Sequence, residues 1–174
     1  AKIIIACGGD GTISEVANGI LSSGKDAELG LLPSGTGGDF RRTLEIPSRT
    51  RDAAKILRTG RTARIDVGRV SYIDHNGNDA MRYFVGVASC GMSTKVIERV
   101  KADHASFASA LLKTAMRNEP VRLVVQLDDS HEHHLVLSNL CIANARYFGG
   151  GMKIAPNAKL TDGKFDVIGV GDLS

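Results

Sequence analysis

The sequence has no tryptophan and few aromatics, only three tyrosines and five phenylalanines. It has four prolines and no excess of one charge, with a formal net of +3. It lacks any apolar run near the roughly 20 residues that span a bilayer, which excludes a simple transmembrane helix. Ala1 to Ala6 lack a basic flank and a long apolar region, so they do not read as a signal peptide. The three cysteines, Cys7, Cys90 and Cys141, sit singly in apolar stretches. That spacing offers neither a disulfide framework nor a metal-ligand set. It favours a reducing compartment, hence the cytoplasm. No aromatic residue except Phe40, at its edge, interleaves the arginine-rich stretch 41–64, which argues against single-strand nucleic-acid binding, since that stacks bases on rings.

What the chain does have is an ordinary globular mix, 43% hydrophobic and 24% charged over 174 residues. That suffices for a buried core. Charge is uneven. Residues 41–64 carry seven arginines and Lys55 against Glu45 and Asp52, a local net of +6. Such a block attracts nucleotide phosphates, nucleic acid or an acidic membrane, unless it is simply a solvated helix face.

Glycine is abundant, 20 residues, and it is clustered. Ile3 to Cys7 is a β-branched apolar run and predicts a buried parallel strand. Gly8-Gly9-Asp10-Gly11 then forces a turn. Ile13, Val16, Ala17, Ile20 and Leu21 form one helical stripe, with Thr12 and Glu15 placed for a capping box and Gly24 as its stop. Glu28 to Leu32 predicts a second buried strand. Ser34-Gly35-Thr36-Gly37-Gly38 makes a second glycine turn, with Asp39 placed to cap a short helix. Thr50 to Thr59 predicts another helix, with Gly60 past its end. This alternation implies an α/β layer on a parallel sheet.

After Arg61 the pattern turns to alternation. Ala63–Ile73 and Met81–Cys90 flank Asn76-Gly77, a hairpin signal. A helix is predicted over 106–117. A second hairpin, 121–127 with 135–143, surrounds a polar tip, and a last strand covers 164–170. His131, His133 and His134 with Asp128, Asp129 and Glu132 read as that tip rather than a metal tract. The expected division is 1–62 for the α/β part and 63–174 for the β part. Both ends break off in strand-like sequence, as a piece of a longer chain would.

Two glycine turns, each between a strand end and a helix start, describe an anion cradle. Glycines let main-chain N–H groups approach a ligand, and a helix N-terminus adds unpaired donors and partial positive charge. Asp10 inside such a cradle makes sense beside Mg²⁺ or as the group that polarises an attacking hydroxyl. Neighbouring parallel strands would bring both turns to one sheet edge. Neither turn is a Walker A loop or a dinucleotide fingerprint.

Gly8-Gly-Asp-Gly-Thr12 followed by Glu15, Val16, Asn18, Gly19 and Ile20 resembles the signature of diacylglycerol, sphingosine and bacterial YegS-like lipid kinases. Leu32-Pro-Ser-Gly-Thr-Gly-Gly-Asp-Phe40 resembles the second loop of that family, with Gly38 where asparagine is common. The likeness continues through Ile65–Gly68, Tyr83-Phe84, Gly149–Met152 and Pro156–Asp166. It implies an NAD-kinase-like, Rossmann-like α/β domain followed by an antiparallel β-sandwich, with ATP between them. It implies nucleotide contacts from Gly8, Gly9, Asp10, Gly11, Thr12, Ile13 and Ser14 and from Gly35, Thr36 and Gly37. It places Asp10, Asp39 and Asp66 in a catalytic, water-bridged Mg²⁺ network. It implies a second Mg²⁺ site with the Asp162 carboxylate and the carbonyls of Lys159 and Lys164. The family's general base is expected in a later segment that this sequence does not contain. The expected activity is ATP-dependent phosphorylation of a lipid hydroxyl at an anionic membrane surface, with peripheral attachment and no nucleic acid. A kinase of a soluble acceptor, a non-catalytic nucleotide- or membrane-binding module and a homodimer stay open.

Overall fold

The computed structural model describes residues 2–91 and 120–171. They form two compact units. Among the described residues, the first contains 2–87 and 144–165, and the second 88–91, 120–143 and 166–171. The β-hairpin after residue 62 belongs to the first unit, with the α/β part.

In the first unit, β1 (Lys2–Gly8) pairs in parallel with β2 (Ala27–Pro33), in register from Lys2 opposite Ala27 to Gly8 opposite Pro33. Parallel neighbours need a crossover. Helix α1 (Asp10–Ser23) supplies it, and Gly24 stops it in the left-handed conformation at φ 63°. The stripe expected from the sequence buries Ile13 and Ala17. These join Ala6, Leu31, Phe40, Val85 and Ala145 in one core. The β1 run is less buried than its composition implies, since Ile3, Ile4 and Ile5 are 56%, 43% and 49% exposed. Its one neighbour among the described residues is β2, so much of its surface is uncovered.

Helix α2 (Asp39–Thr43) is a single turn, and α3 (Thr50–Thr59) matches the sequence expectation. Thr50 Oγ1 donates to the Pro33 carbonyl at 2.8 Å, which anchors α3 where β2 ends. The next hairpin is β3 (Gly68–Ile73) with β4 (Asp79–Phe84). It turns on Gly77 at φ 83°, with Asp74 Oδ1 accepting from the Asn76 and Asn78 N–H groups. The strand expected from Ala63 begins only at Gly68, and the expected return strand bends at Val85-Gly86. Asn18 of α1 clips onto β4, its side-chain amide both donating to Tyr83 C=O and accepting from Tyr83 N–H at 2.8 Å. Residues 144–165 add no regular strand beyond one bridge between Phe148 and Met152.

In the second unit, β5 (Val87–Gly91), β8 (Asn139–Ala143) and β9 (Asp166–Val170) form one sheet in the order β5-β8-β9. Strands β6 (Val121–Val125) and β7 (His133–Leu137) form an antiparallel hairpin. The strand expected over 135–143 is two, because the chain changes partners at Ser138, whose N–H already belongs to Val170 C=O. Asp128, Asp129, His131 and Glu132 lie at the hairpin tip as expected, whereas His133 and His134 belong to β7, paired with Val125 and Val124. Among the described residues no three His, Cys, Asp or Glu side chains cluster as a metal site. The helix expected over 106–117 lies outside the described residues.

Candidate nucleotide site

Because Gly8 lies opposite Pro33, the two glycine turns leave the sheet together. Ser34 N–H donates back to Gly8 C=O at 3.1 Å. The turns then touch main chain to main chain. A Cβ on Gly35 would overlap the Gly9 Cα and stand 2.8 Å from its nitrogen. No side chain fits there, so the glycine pair is required by the approach itself.

Helix α1 begins at Asp10, with Gly9 as N-cap and no side-chain cap. The capping box expected from Thr12 and Glu15 is therefore absent, since Thr12 is already inside the first turn. The first intrahelical bond of the turn is Ile13 N–H to Gly9 C=O at 3.0 Å. The N–H groups of Asp10, Gly11 and Thr12 precede it and keep their donors open. Gly11 and Thr12 are exposed, and a Cβ at Gly11 would meet nothing within 4 Å. This is the free, electropositive end of a 14-residue helix facing open space.

Asp10 does something the sequence reading missed. Its Oδ2 accepts the Asp39 N–H at 3.1 Å and its Oδ1 the Phe40 N–H at 3.0 Å. It therefore caps α2 from across the cleft between the turns, the task the sequence assigned to Asp39. The expected cap fails because Asp39 is the first residue of α2, with Gly38 before it at φ 67°. That left-handed conformation suits Gly38, and the asparagine that the resemblance expects there is the other residue that adopts it readily. Asp39 instead takes the Arg42 guanidinium on Oδ1 at 3.1 Å and the Gly150 N–H on Oδ2 at 2.8 Å. Arg42 also reaches Gly37 C=O. Gly150 can present its N–H because Gly149, Gly150 and Gly151 all hold positive φ, at 69°, 87° and 116°.

The third carboxylate, Asp66, sits on the approach to β3. Its N–H donates to Leu160 C=O at 2.6 Å, and its Oδ2 accepts the Gly163 N–H at 2.7 Å. The structure thus joins Asp10 and Asp39 at α2 and ties Asp66 to the 160–164 turn. Both oxygens of Asp10 and of Asp39 are engaged by the protein. Only one oxygen of Asp66 is. Asp66 is therefore the carboxylate of the three with most capacity for a cation or a water.

The remaining expected residues divide clearly. Gly8 lets Thr12 fold back over the strand end, since a Cβ there would overlap the Thr12 hydroxyl. Gly37 faces Asp10 Oδ2 at 2.7 Å from where its Cβ would be. Thr36 is exposed and Ser14 half-buried. Ile13 points into the core at 3% exposure, and its N–H is used within the helix. Asp162 Oδ1 accepts the Lys164 N–H at 3.2 Å, and Lys159, Asp162 and Lys164 are all exposed. One carboxylate with neighbouring main-chain carbonyls is a hard-oxygen donor set and fits Mg²⁺ in type, with water completing the shell.

Residues 1–70 match the model of the diacylglycerol kinase catalytic domain, and residues 86–174 match the YegS C-terminal NAD kinase beta sandwich-like domain. The chain belongs to the diacylglycerol kinase and YegS-like lipid kinase family. It is 33% identical over 173 residues to a diacylglycerol kinase of Staphylococcus haemolyticus, covering 95% of this chain and 49% of that protein. It is 32% identical over 170 residues to a diacylglycerol kinase of Mycobacterium tuberculosis, covering 94% of this chain and 53% of the relative. A crystal structure of a diacylglycerol kinase from Bacillus anthracis superimposes with a TM-score of 0.71 at 27% identity, over 99% of this chain and 55% of that one. The chain thus spans about half the length of the relatives it matches. The expected succession of an α/β part and an antiparallel, sandwich-like part is that of the family.

Proposed function

We propose that the full protein transfers the γ-phosphate of ATP to a lipid hydroxyl, diacylglycerol or a related lipid, and that this segment holds the nucleotide. The observation that carries this reading is the pair of glycine turns in main-chain contact, beside the open N–H groups of Gly11 and Thr12. Those donors would hold phosphate oxygens, and the lack of side chains at Gly9, Gly11 and Gly35 lets a bulky polyanion approach. ATP bound there would supply the transferable phosphoryl group, and Mg²⁺ would offset its charge. Asp10 fixes the second turn by capping α2. Asp39, held by Arg42 and Gly150, ties that turn to the 149–151 loop. Asp66 keeps an oxygen available for cation or water. Together they position the donor rather than perform covalent chemistry. The Asp162 turn would hold a second Mg²⁺ that keeps the 159–164 segment in place.

An anionic membrane as partner is supported by α3. Arg51, Lys55 and Arg58 fall at i, i+4 and i+7, and all three are exposed, while Ala53 is the buried residue of the helix. Such a ridge would be drawn to acidic lipid headgroups. Among the described residues no helix is long and apolar enough to cross a membrane.

The test is incubation of the full-length protein with γ-labelled ATP, Mg²⁺ and a lipid extract. Label in the organic phase supports the proposal. Label confined to the aqueous phase points to a soluble acceptor. ATP binding without transfer points to a non-catalytic module.

A further inference from the structure

Asn144 is the largest fully buried polar residue in the first unit, with 0% exposure. It interrupts an apolar run, Leu140 to Ala145, that would otherwise read as plain core. Its side-chain NH₂ donates to Asp66 C=O at 2.7 Å and to Val85 C=O at 3.2 Å. Its own main-chain N–H donates to Gly86 C=O at 2.9 Å. With two carbonyls facing the NH₂ group, the amide has one tolerable orientation, because the flipped form would set oxygen against oxygen. That orientation leaves Asn144 Oδ1 buried with no hydrogen-bond partner, the one such side-chain atom among the described residues. An unpaired buried amide oxygen opposes folding. Packing therefore does not explain an asparagine here, and the two carbonyls it holds do.

One of those carbonyls belongs to Asp66, whose carboxylate grips Gly163 N–H and whose N–H grips Leu160 C=O. Asn144 thus fixes the main chain of Asp66 from behind, while Asp66 fixes the 160–164 turn in front. We propose that Asn144 is a positioning residue for Asp66, setting the carboxylate and, through it, the turn that carries Asp162. The role of Asp66 in phosphoryl transfer rests on the functional reading above. The positioning by Asn144 does not.

Amide hydrogen exchange in the full-length protein tests it without any turnover. In Asn144→Ser the Gly163 N–H should exchange at least about tenfold faster, the loss of one hydrogen bond to a charged group. The Asp39 and Phe40 N–H groups, which Asp10 holds, should stay within about twofold of wild type, as sites that share no partner do. Unchanged Gly163 exchange, or a uniform rise across all three, would overturn the proposal. Should Asn144→Ser not fold, the wild type decides. Protection of the Asn144 side-chain NH₂ and of Gly163 N–H should fall together as urea is raised, as one cooperative unit. Gly163 opening more than about tenfold more readily than Asn144 would contradict it, because a shared opening gives equal protection. An activity assay then separates the two readings. A turnover loss with unchanged KM for ATP supports the role of Asp66, and full activity despite mobile Gly163 removes it.

Discussion

Replacing Asp10 by alanine removes both acceptors from the N-terminus of α2, at 3.1 Å from Asp39 N and 3.0 Å from Phe40 N. Losing an N-cap side chain costs roughly 0.5–2 kcal/mol, and here the lost acceptor is a half-buried carboxylate serving two donors, so about 2 kcal/mol is expected. For a chain of this size that lowers Tm by roughly 4–8 °C. Asp10→Asn keeps one acceptor and should lose about half as much. Because α2 begins where the second glycine turn ends, nucleotide affinity should fall together with stability. Thermal unfolding of the three proteins, with an ATP titration of each, measures both. A Tm for Asp10→Ala within about 1 °C of wild type, with nucleotide binding lost, would refute the capping argument and leave Asp10 acting on the ligand alone.

Two glycines should respond in opposite ways. Gly11→Ala gains up to about 1 kcal/mol of helix stability, because its Cβ enters open space. It should nevertheless weaken ATP binding, because that space is where the ligand approaches. Gly35→Ala should lower both, at a cost of roughly 1–3 kcal/mol, because its Cβ would strike Gly9. Thiol titration should also sort the cysteines. Cys7 and Cys90 are exposed and Cys141 is buried, its thiol pushed up to about 11 chiefly by burial. Two thiols should react with an aromatic disulfide at pH 8 in the folded protein and three after denaturation. Asp74 has its carboxyl held below the usual value, first by the Asn78 main-chain N–H. A depressed folded-state pKa stabilises above the unfolded value and is lost as pH falls through the folded one. The Asn76 and Asn78 amide resonances should therefore hold steady at neutral pH and move only in acid, and Asp74→Ala should abolish that transition.

The α/β half was legible because its signals are local. A β-branched run, a glycine turn, a 3.6-residue stripe and a glycine stop follow one another in a few residues, and β1, α1, β2 and α3 all emerged as expected. The β half was legible only as alternation. Where a strand changes partners, as at Ser138, depends on neighbours distant in sequence and leaves no mark on the residues themselves. The same limit explains the site. Both glycine turns could be named from their spacing, and Asn76-Gly77 from turn chemistry. That Asp10 caps a helix 29 residues away could not be read, because any carboxylate near two glycines looks like a ligand for metal. Asn144 left one faint sign, a polar residue in an apolar run. Gly150 was part of a visible glycine triplet, but its partner Asp39 was not predictable.

The phosphate site proposed above consists of the open amides at the start of α1, beside the second glycine turn. A ¹⁵N-resolved NMR titration of the full-length protein with ATP and Mg²⁺ tests it most directly. The Gly11 and Thr12 amide signals should shift most, followed by those of Gly35 to Gly37, while Asp39 and Phe40 remain held by Asp10. Saturable binding that leaves Gly11 and Thr12 unmoved would contradict the account.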